Sequence, residues 1–223
     1  QAKADAAIIE AKTVLAIGEL ERRAMGRFVH EQAREHKNIE NITAKALPYL
    51  KDDADPARIE DDWLAEFFAR SRRVSNEQMQ DLWARILSGE ANQPESVSKR
   101  TLEFVALMDR ADADTFSKLC RFSATSLGEA LIFSTDDAIL EKCQLSYTDL
   151  AHLDSIGLIQ LSDSLSSFIH QGVQETIQID VAGKILAIAV PAPSADGELR
   201  SLAIGRVLFT KTGRELCRFV SID

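Results

Sequence analysis

The sequence predicts a mainly α protein with a small α+β part: a helical core, preceded by a long N-terminal helix and followed by a winged-helix-like domain. Three observations lead there. Residues 2–46 contain no proline and are rich in Ala, Glu, Lys and Arg, the strong helix formers. Between residues 59 and 87 apolar residues recur at the i, i+3, i+4 spacing of a buried helical face. From about residue 125 the texture changes to short apolar segments separated by turn residues. The domain boundaries follow these shifts: 1–46 as a helical assembly segment, 47–124 as the helical core and 125–223 as the winged-helix-like part.

In a chain of 223 residues, 45% hydrophobic content suffices for a substantial core, and 6% aromatic content fits a helix-rich protein better than an all-β one. The net charge of −9 is unevenly spread: 8 Lys/Arg against 7 Asp/Glu in residues 1–50, 9 against 13 in 51–110, and 9 against 15 in 111–223. That balance disfavours non-specific nucleic-acid binding, which needs a basic face. Three widely spaced cysteines read as reduced, buried thiols of a cytoplasmic protein. No apolar run approaches the ~18–20 residues of a membrane span. The opening QAKADAAII has neither methionine nor signal-peptide pattern. It reads as a chain lacking its natural start, which leaves membrane contact by an earlier segment open.

An unbroken helix over residues 2–46 would run nearly 70 Å at ~1.5 Å per residue, with Gly18 and Gly26 expected to mark breaks. Its apolar residues (Ile8, Leu15, Leu20, Phe28, Ile39, Ile42) hold no strict heptad. The segment therefore reads as one or two helices packed on a partner helix or another subunit, with a solvated helix packed on its own domain as an equal alternative. Asp55-Pro56 opens the next helical unit as cap and first turn. Ile59, Trp63, Phe67 and Arg70 share a face there, with Leu64 and Phe68 beside it. Ser75 and Gln78 form a capping box for a helix whose stripe is Met79, Leu82, Trp83, Ile86 and Leu87, with Gly89 as its stop. Ser98 caps the helix KRTLEFVALMDRAD, and Asp112 or Asp114 starts another.

In the last hundred residues Ser146 and Asp149 form a capping box, Leu150, Leu153 and Ile156 a stripe, and Gly157 a stop. Two strand-like segments follow, ETIQIDVAGKILAIAVP with an AGK turn and LRSLAIGRVLFT, with PAPSADGE as a loop. Thr210 or Thr212 caps a closing helix. The order matches many winged-helix domains.

The chain offers little for catalysis, and no catalytic, cofactor-binding or metal-ligating residue is assigned. His30, Glu31 and His36 superficially suggest a zinc helix, but a spacing of six puts the histidines about 240° apart. There is no GxSxG elbow, CxxC pair or glycine-rich phosphate loop, and Cys120 and Cys217 sit in apolar helical contexts that packing explains. The best candidate anion or partner surface is Arg70, Arg72 and Arg73 with Lys99 and Arg100, since guanidinium forks suit phosphate or carboxylate. Salt bridging to nearby acids is the plainer reading. A DNA reader in the winged-helix-like part would carry Asp149 and Asp154 on its recognition helix with only His152 as a cation. Arg206, Lys211 and Arg214 compensate in part, so an interaction domain is favoured.

Across residues 61–122 the pattern resembles an uncharacterised bacterial family with a WL–FF–LWA–ILxGE–P–S–S–RTL signature, distantly similar to the abortive-infection alpha proteins of phage defence. The matched positions are Trp63, Leu64, Phe67, Phe68, Leu82, Trp83, Ala84, Gly89, Glu90, Pro94, Ser98, Arg100, Thr101 and Leu102. Here QPESVS stands where a Pro-Gly-Ser-Phe-Ser type of loop is commoner. Glu90 and Arg100, flanking that loop, are expected to pair. The expected function is a non-enzymatic interaction module, self-assembling through residues 1–46 or binding a protein partner, in a phage-defence or stress-response setting. A transcriptional regulator and a nucleotide- or nucleic-acid-directed effector using the Arg70/Arg72/Arg73 surface are the alternatives.

Overall fold

A computed structural model describes residues 2–121, 123–126, 129–132, 137–161, 168–172, 175–181, 184–192, 200–204 and 207–220. It is mainly helical. Helix α1 (Ala2–Ala46) is followed by short 3-10 turns at Leu47–Tyr49 and Pro56–Arg58. Helices α2 (Asp61–Ser71), α3 (Glu77–Asn92), α4 (Lys99–Leu107) and α5 (Arg110–Cys120) complete the helical core. After it come strands β1 (Ser123–Ser126) and β2 (Glu129–Ile132), then helices α6 (Asp137–Lys142) and α7 (Tyr147–Ser155). Strands β3 (Ile159–Leu161), β4 (Phe168–Gly172), β5 (Thr176–Val181), β6 (Lys184–Ala189), β7 (Arg200–Ile204) and β8 (Val207–Phe209) precede the closing helix α8 (Lys211–Cys217).

Helix α1 runs unbroken through Gly18 and Gly26, the positions expected to interrupt it; neither has a neighbour that constrains it. Residues of high helix propensity on both sides carry the backbone through, at a cost of about 1 kcal/mol per glycine. Among the described side chains of α1 the buried ones lie in its last three turns, on α3: Ile42 and Ala46 enter the core, with Glu35 and Asn38 at its polar edge. The Asn38 amide donates to the Arg72 carbonyl (2.8 Å) and the Ser75 hydroxyl (3.2 Å), and its carbonyl accepts from Gln80 Nε2 (3.1 Å). These bonds relocate the expected cap of α3. Ser75 is engaged by α1, and Asn76 is the N-cap instead, accepting from Met79 N at 3.0 Å.

Helix α3 is central, with Met79, Trp83, Ala84 and Ile86 buried and Leu82 and Leu87 packed at the margin. Trp63 stacks on Phe67 at 5.3 Å between ring centroids, and Trp83 meets Phe67 edge-on at 5.2 Å, a geometry that aromatic quadrupoles favour. Helix α3 does not stop at Gly89 but continues to Asn92. The glycine is there for space: a Cβ at position 89 would lie 2.0 Å from the Phe219 ring, which packs across the helix at this point. Ser98 caps α4 as expected, but that helix ends at Leu107. Asp109 is the N-cap of α5, with its backbone N–H donating to the Asp112 carboxylate at 3.2 Å, so Asp112 completes the first turn rather than starting the helix.

Six strands form an antiparallel sheet in the order β3-β8-β2-β1-β5-β6, and β4 pairs with β7 as a separate ribbon. The hairpin expected around AGK is present as the β5–β6 pair, Val181 opposite Lys184, while turn residues 182–183 lie outside the described residues, as do 193–198 of the expected loop. LRSLAIGRVLFT divides: Arg200–Ile204 joins the ribbon and Val207–Phe209 the sheet. The Ser146–Asp149 capping box, the left-handed Gly157 (φ +84°) and the Thr210 cap of α8 are all present. One buried cluster runs from Ile42 through the helices to Leu158, Val207 and Leu216.

Candidate functional site

The signature residues converge on the loop between α3 and α4. Glu90 is buried, and its carboxylate accepts from Glu95 N (2.6 Å), Ser96 Oγ (3.2 Å) and Val97 N (2.9 Å). Trp63 Nε1 donates to the Val97 carbonyl at 2.7 Å, tying α2 to the same loop. Glu215, from α8, reaches the start of α4 and accepts from Ser98 N (2.8 Å), Ser98 Oγ (3.0 Å) and Thr101 Oγ1 (2.6 Å). A carboxylate at a helix N-terminus meets both the free N–H groups and the favourable end of the dipole. The expected Glu90–Arg100 pair does not form. The loop's own N–H groups occupy Glu90, and Arg100 is exposed. Trp63, Glu90, Ser98 and Thr101 thus build one structural joint with Glu215, and Phe67 and Trp83 stack in line with Trp63; Pro94 lies in the joint's turn, Leu82 at the core margin, Gly89 against Phe219 and Arg100 outside it.

The proposed cationic surface is largely spoken for. Arg70 pairs with Glu66 (3.0 Å), Arg72 with the buried Glu35 of α1 (3.4 Å), and Lys99 with Glu60 (3.2 Å) and Asp62 (3.9 Å). Arg73 and Arg100 are exposed. Arg72 therefore helps to clamp α1, which sequence spacing alone could not show across 37 residues. His152 of α7 bonds Asp112 of α5 at 2.7 Å, and Lys211 lies 3.7 Å from Glu215; Arg206 is outside the described residues.

A groove of about 450 Å³ runs between α3, α5 and α8, bordered by Lys45, Asp81, Arg85, Arg110, Asp114 and Phe219. Its charges are matched internally: Arg85 with Asp81 (3.1 Å) and Arg110 with Asp114 (3.6 Å). The guanidinium of Arg85 also lies 4.6 Å from the Tyr49 ring centre. Among the described residues no group of three or more His, Cys, Asp or Glu could hold a metal ion; His36 instead pairs with Glu40 at 3.2 Å. At the C-terminal ends of α5 and α8, Cys120 and Cys217 interact. The Cys120 thiol hydrogen-bonds Cys217 and, with Ser123 Oγ (3.6 Å), holds the Cys217 thiol down at about 7 against the opposing effect of burial. Burial, with the neighbouring Cys217, pushes Cys120 well up.

Among the described residues, six large apolar side chains lie exposed along α1. Val14, Ile17, Leu20, Met25, Phe28 and Val29 are each 50–64% exposed. Steps of four and three back from Ile42 pass through Asn38, Glu35, Glu31, Phe28, Ala24, Glu21, Ile17 and Val14, so Glu31 and Glu21 interrupt the apolar residues of this face. The exposed apolar stripe therefore continues the face that α1 buries against α3.

Fold and joint together define a mainly helical protein with a long N-terminal helix and a small antiparallel strand part. The chain belongs to the family described as "Protein of unknown function (DUF2806)", whose model matches residues 22–223. No curated protein and no solved structure matches it. Among the described residues no helix is long and apolar enough to cross a membrane.

Proposed function

We propose that this protein is a non-enzymatic interaction module that assembles through α1. The observation that carries this reading is the apolar stripe from Val14 to Val29, exposed over the part of the helix that projects beyond the core. A helix without tertiary contacts has only its propensity to hold it, and aligned exposed apolar residues mark surfaces that other molecules cover. The resemblance to abortive-infection alpha proteins supports a phage-defence or stress-response setting as part of the same proposal. A DNA-reading role for the C-terminal part has less in its favour, because His152, the one cation expected on its recognition helix, is held by Asp112.

The test is light scattering on the full chain and on a chain beginning at Arg34, which keeps Glu35, Asn38 and Ile42 on the core. Association of the full chain, lost in the shortened one, is the expected outcome. Equal masses for both would overturn the reading.

A further inference from the structure

The helical core and the closing helix meet at a pair of thiols. Cys120 is the last residue of α5 and Cys217 the last residue of α8, and the two helices pack on each other. Ser123 Oγ donates to the Cys120 carbonyl at 2.8 Å and lies 3.6 Å from Cys217 Sγ, which places the second sulfur beside the backbone of the first cysteine. The two thiols hydrogen-bond each other. The third cysteine, Cys143, is buried just beyond α6.

The pair is asymmetric. Cys120 is 1% exposed, whereas Cys217 is only partly buried. The accessible member is also the one held at about 7, so near neutral pH much of it is thiolate, the form that oxidants attack. Burial, with the neighbouring Cys217, pushes Cys120 well up. An accessible, acidic thiol with a second thiol beside it is the arrangement of reversibly oxidised protein sulfur.

We propose that Cys120 and Cys217 are an oxidative modification site, at which a hydroperoxide converts the two thiols into a disulfide between α5 and α8. The Cys217 thiolate attacks one peroxide oxygen. The S–O bond forms, the O–O bond breaks, and the departing oxygen takes a proton as alcohol, or as water where the oxidant is hydrogen peroxide. Cys217 is then a sulfenic acid, oxidised by two electrons. The Cys120 sulfur attacks it, the S–S bond forms and the S–O bond breaks, and the leaving hydroxide carries off the Cys120 proton as water. From hydrogen-bond contact the sulfurs close to ~2.05 Å, and both residues end their helices, where the backbone yields most readily. The bond ties α5 to the helix that carries Glu215 to the start of α4. This site goes beyond the assembly reading and is independent of it, since neither sulfur lies on α1.

The test treats the full reduced chain with a small molar excess of hydrogen peroxide. Free thiols are then alkylated in denaturant, and the peptides are mapped by mass spectrometry without reductant. The expected result is a Cys120–Cys217 cross-linked peptide, lighter than its two parts by two hydrogen atoms and lost on addition of dithiothreitol, with Cys143 alkylated. In Cys120→Ser the sulfenic acid of Cys217 should persist and be captured by dimedone. In Cys217→Ser the oxidation of Cys120 should slow by at least about tenfold, because the accessible thiolate is gone. Matched circular dichroism spectra qualify both variants, and the native chain decides alone if either fails to fold. Both thiols still free after peroxide would overturn the proposal. So would Cys217 carried to the sulfinic acid beside an unreacted Cys120, or a bridge between the Cys217 residues of two chains.

Discussion

Glu95 has φ +66°, in the left-handed region that a side chain makes costly by about 1–2 kcal/mol. Glu95→Gly is therefore expected to leave the fold intact and raise stability by about 0.5–1 kcal/mol in chemical denaturation, since the bond it makes to Glu90 uses only its backbone N–H. Glu90 itself is the anchor. Glu90→Ala should cost about 2–3 kcal/mol by leaving loop donors unpaired, whereas Arg100→Ala should leave stability unchanged, and a double-mutant cycle between the two should show no coupling. The thiols supply a third residue-scale test. With Cys217 held near 7 and Cys120 pushed well up, iodoacetamide should label Cys217 first, its rate climbing as pH rises through about 7. Faster labelling of Cys120 would contradict the arrangement. Local chemistry was legible here: Ser98, Ser146 and Thr210 cap the helices that their sequences announce. Partners distant in sequence were not. Glu215 reaches Ser98 across 117 residues, and Gly89 looks like a helix stop until the Phe219 ring is placed against it.

At the scale of elements, periodicity found the helices well and the strands unevenly. The 3.6-residue stripes of α2 and α3 and the β5–β6 alternation are strong signals because burial is one-sided. Strands β1 and β2 are four residues each, too short to show a period, and escaped notice. Of the one or two helices open for residues 2–46 the structure has one, since Gly18 and Gly26 weaken a helix without ending it. For α1 the division into a packed end and a projecting part has a direct consequence for truncation. A chain beginning at Arg34 should unfold thermally within about 2 °C of the full chain, because the side chains described between Ala16 and Arg34 are exposed. Removal of residues 1–46 should lower the transition sharply, since it deletes Ile42, Ala46 and the Asn38 network. Similar losses for both truncations would mean that the projecting part packs on the core.

For the whole molecule, the buried cluster joins the end of α1, the helical core and the C-terminal strands and helix. The joint at residues 90–101, clamped by Trp63, Glu90 and Glu215, links the helical core to the closing helix α8. Its side chains satisfy the loop's backbone and the start of α4. What the fold leaves unsatisfied is the outward stripe of α1, and assembly through it is the central claim. The most direct test is sedimentation equilibrium of the full chain beside Ile17→Asp/Phe28→Asp, two changes on the exposed stripe that touch nothing in the core. The native chain should sediment as a multiple of 24.7 kDa, and the variant at 24.7 kDa with an unchanged spectrum. A native chain already at 24.7 kDa, or a variant that associates as well as the native chain, would contradict the account.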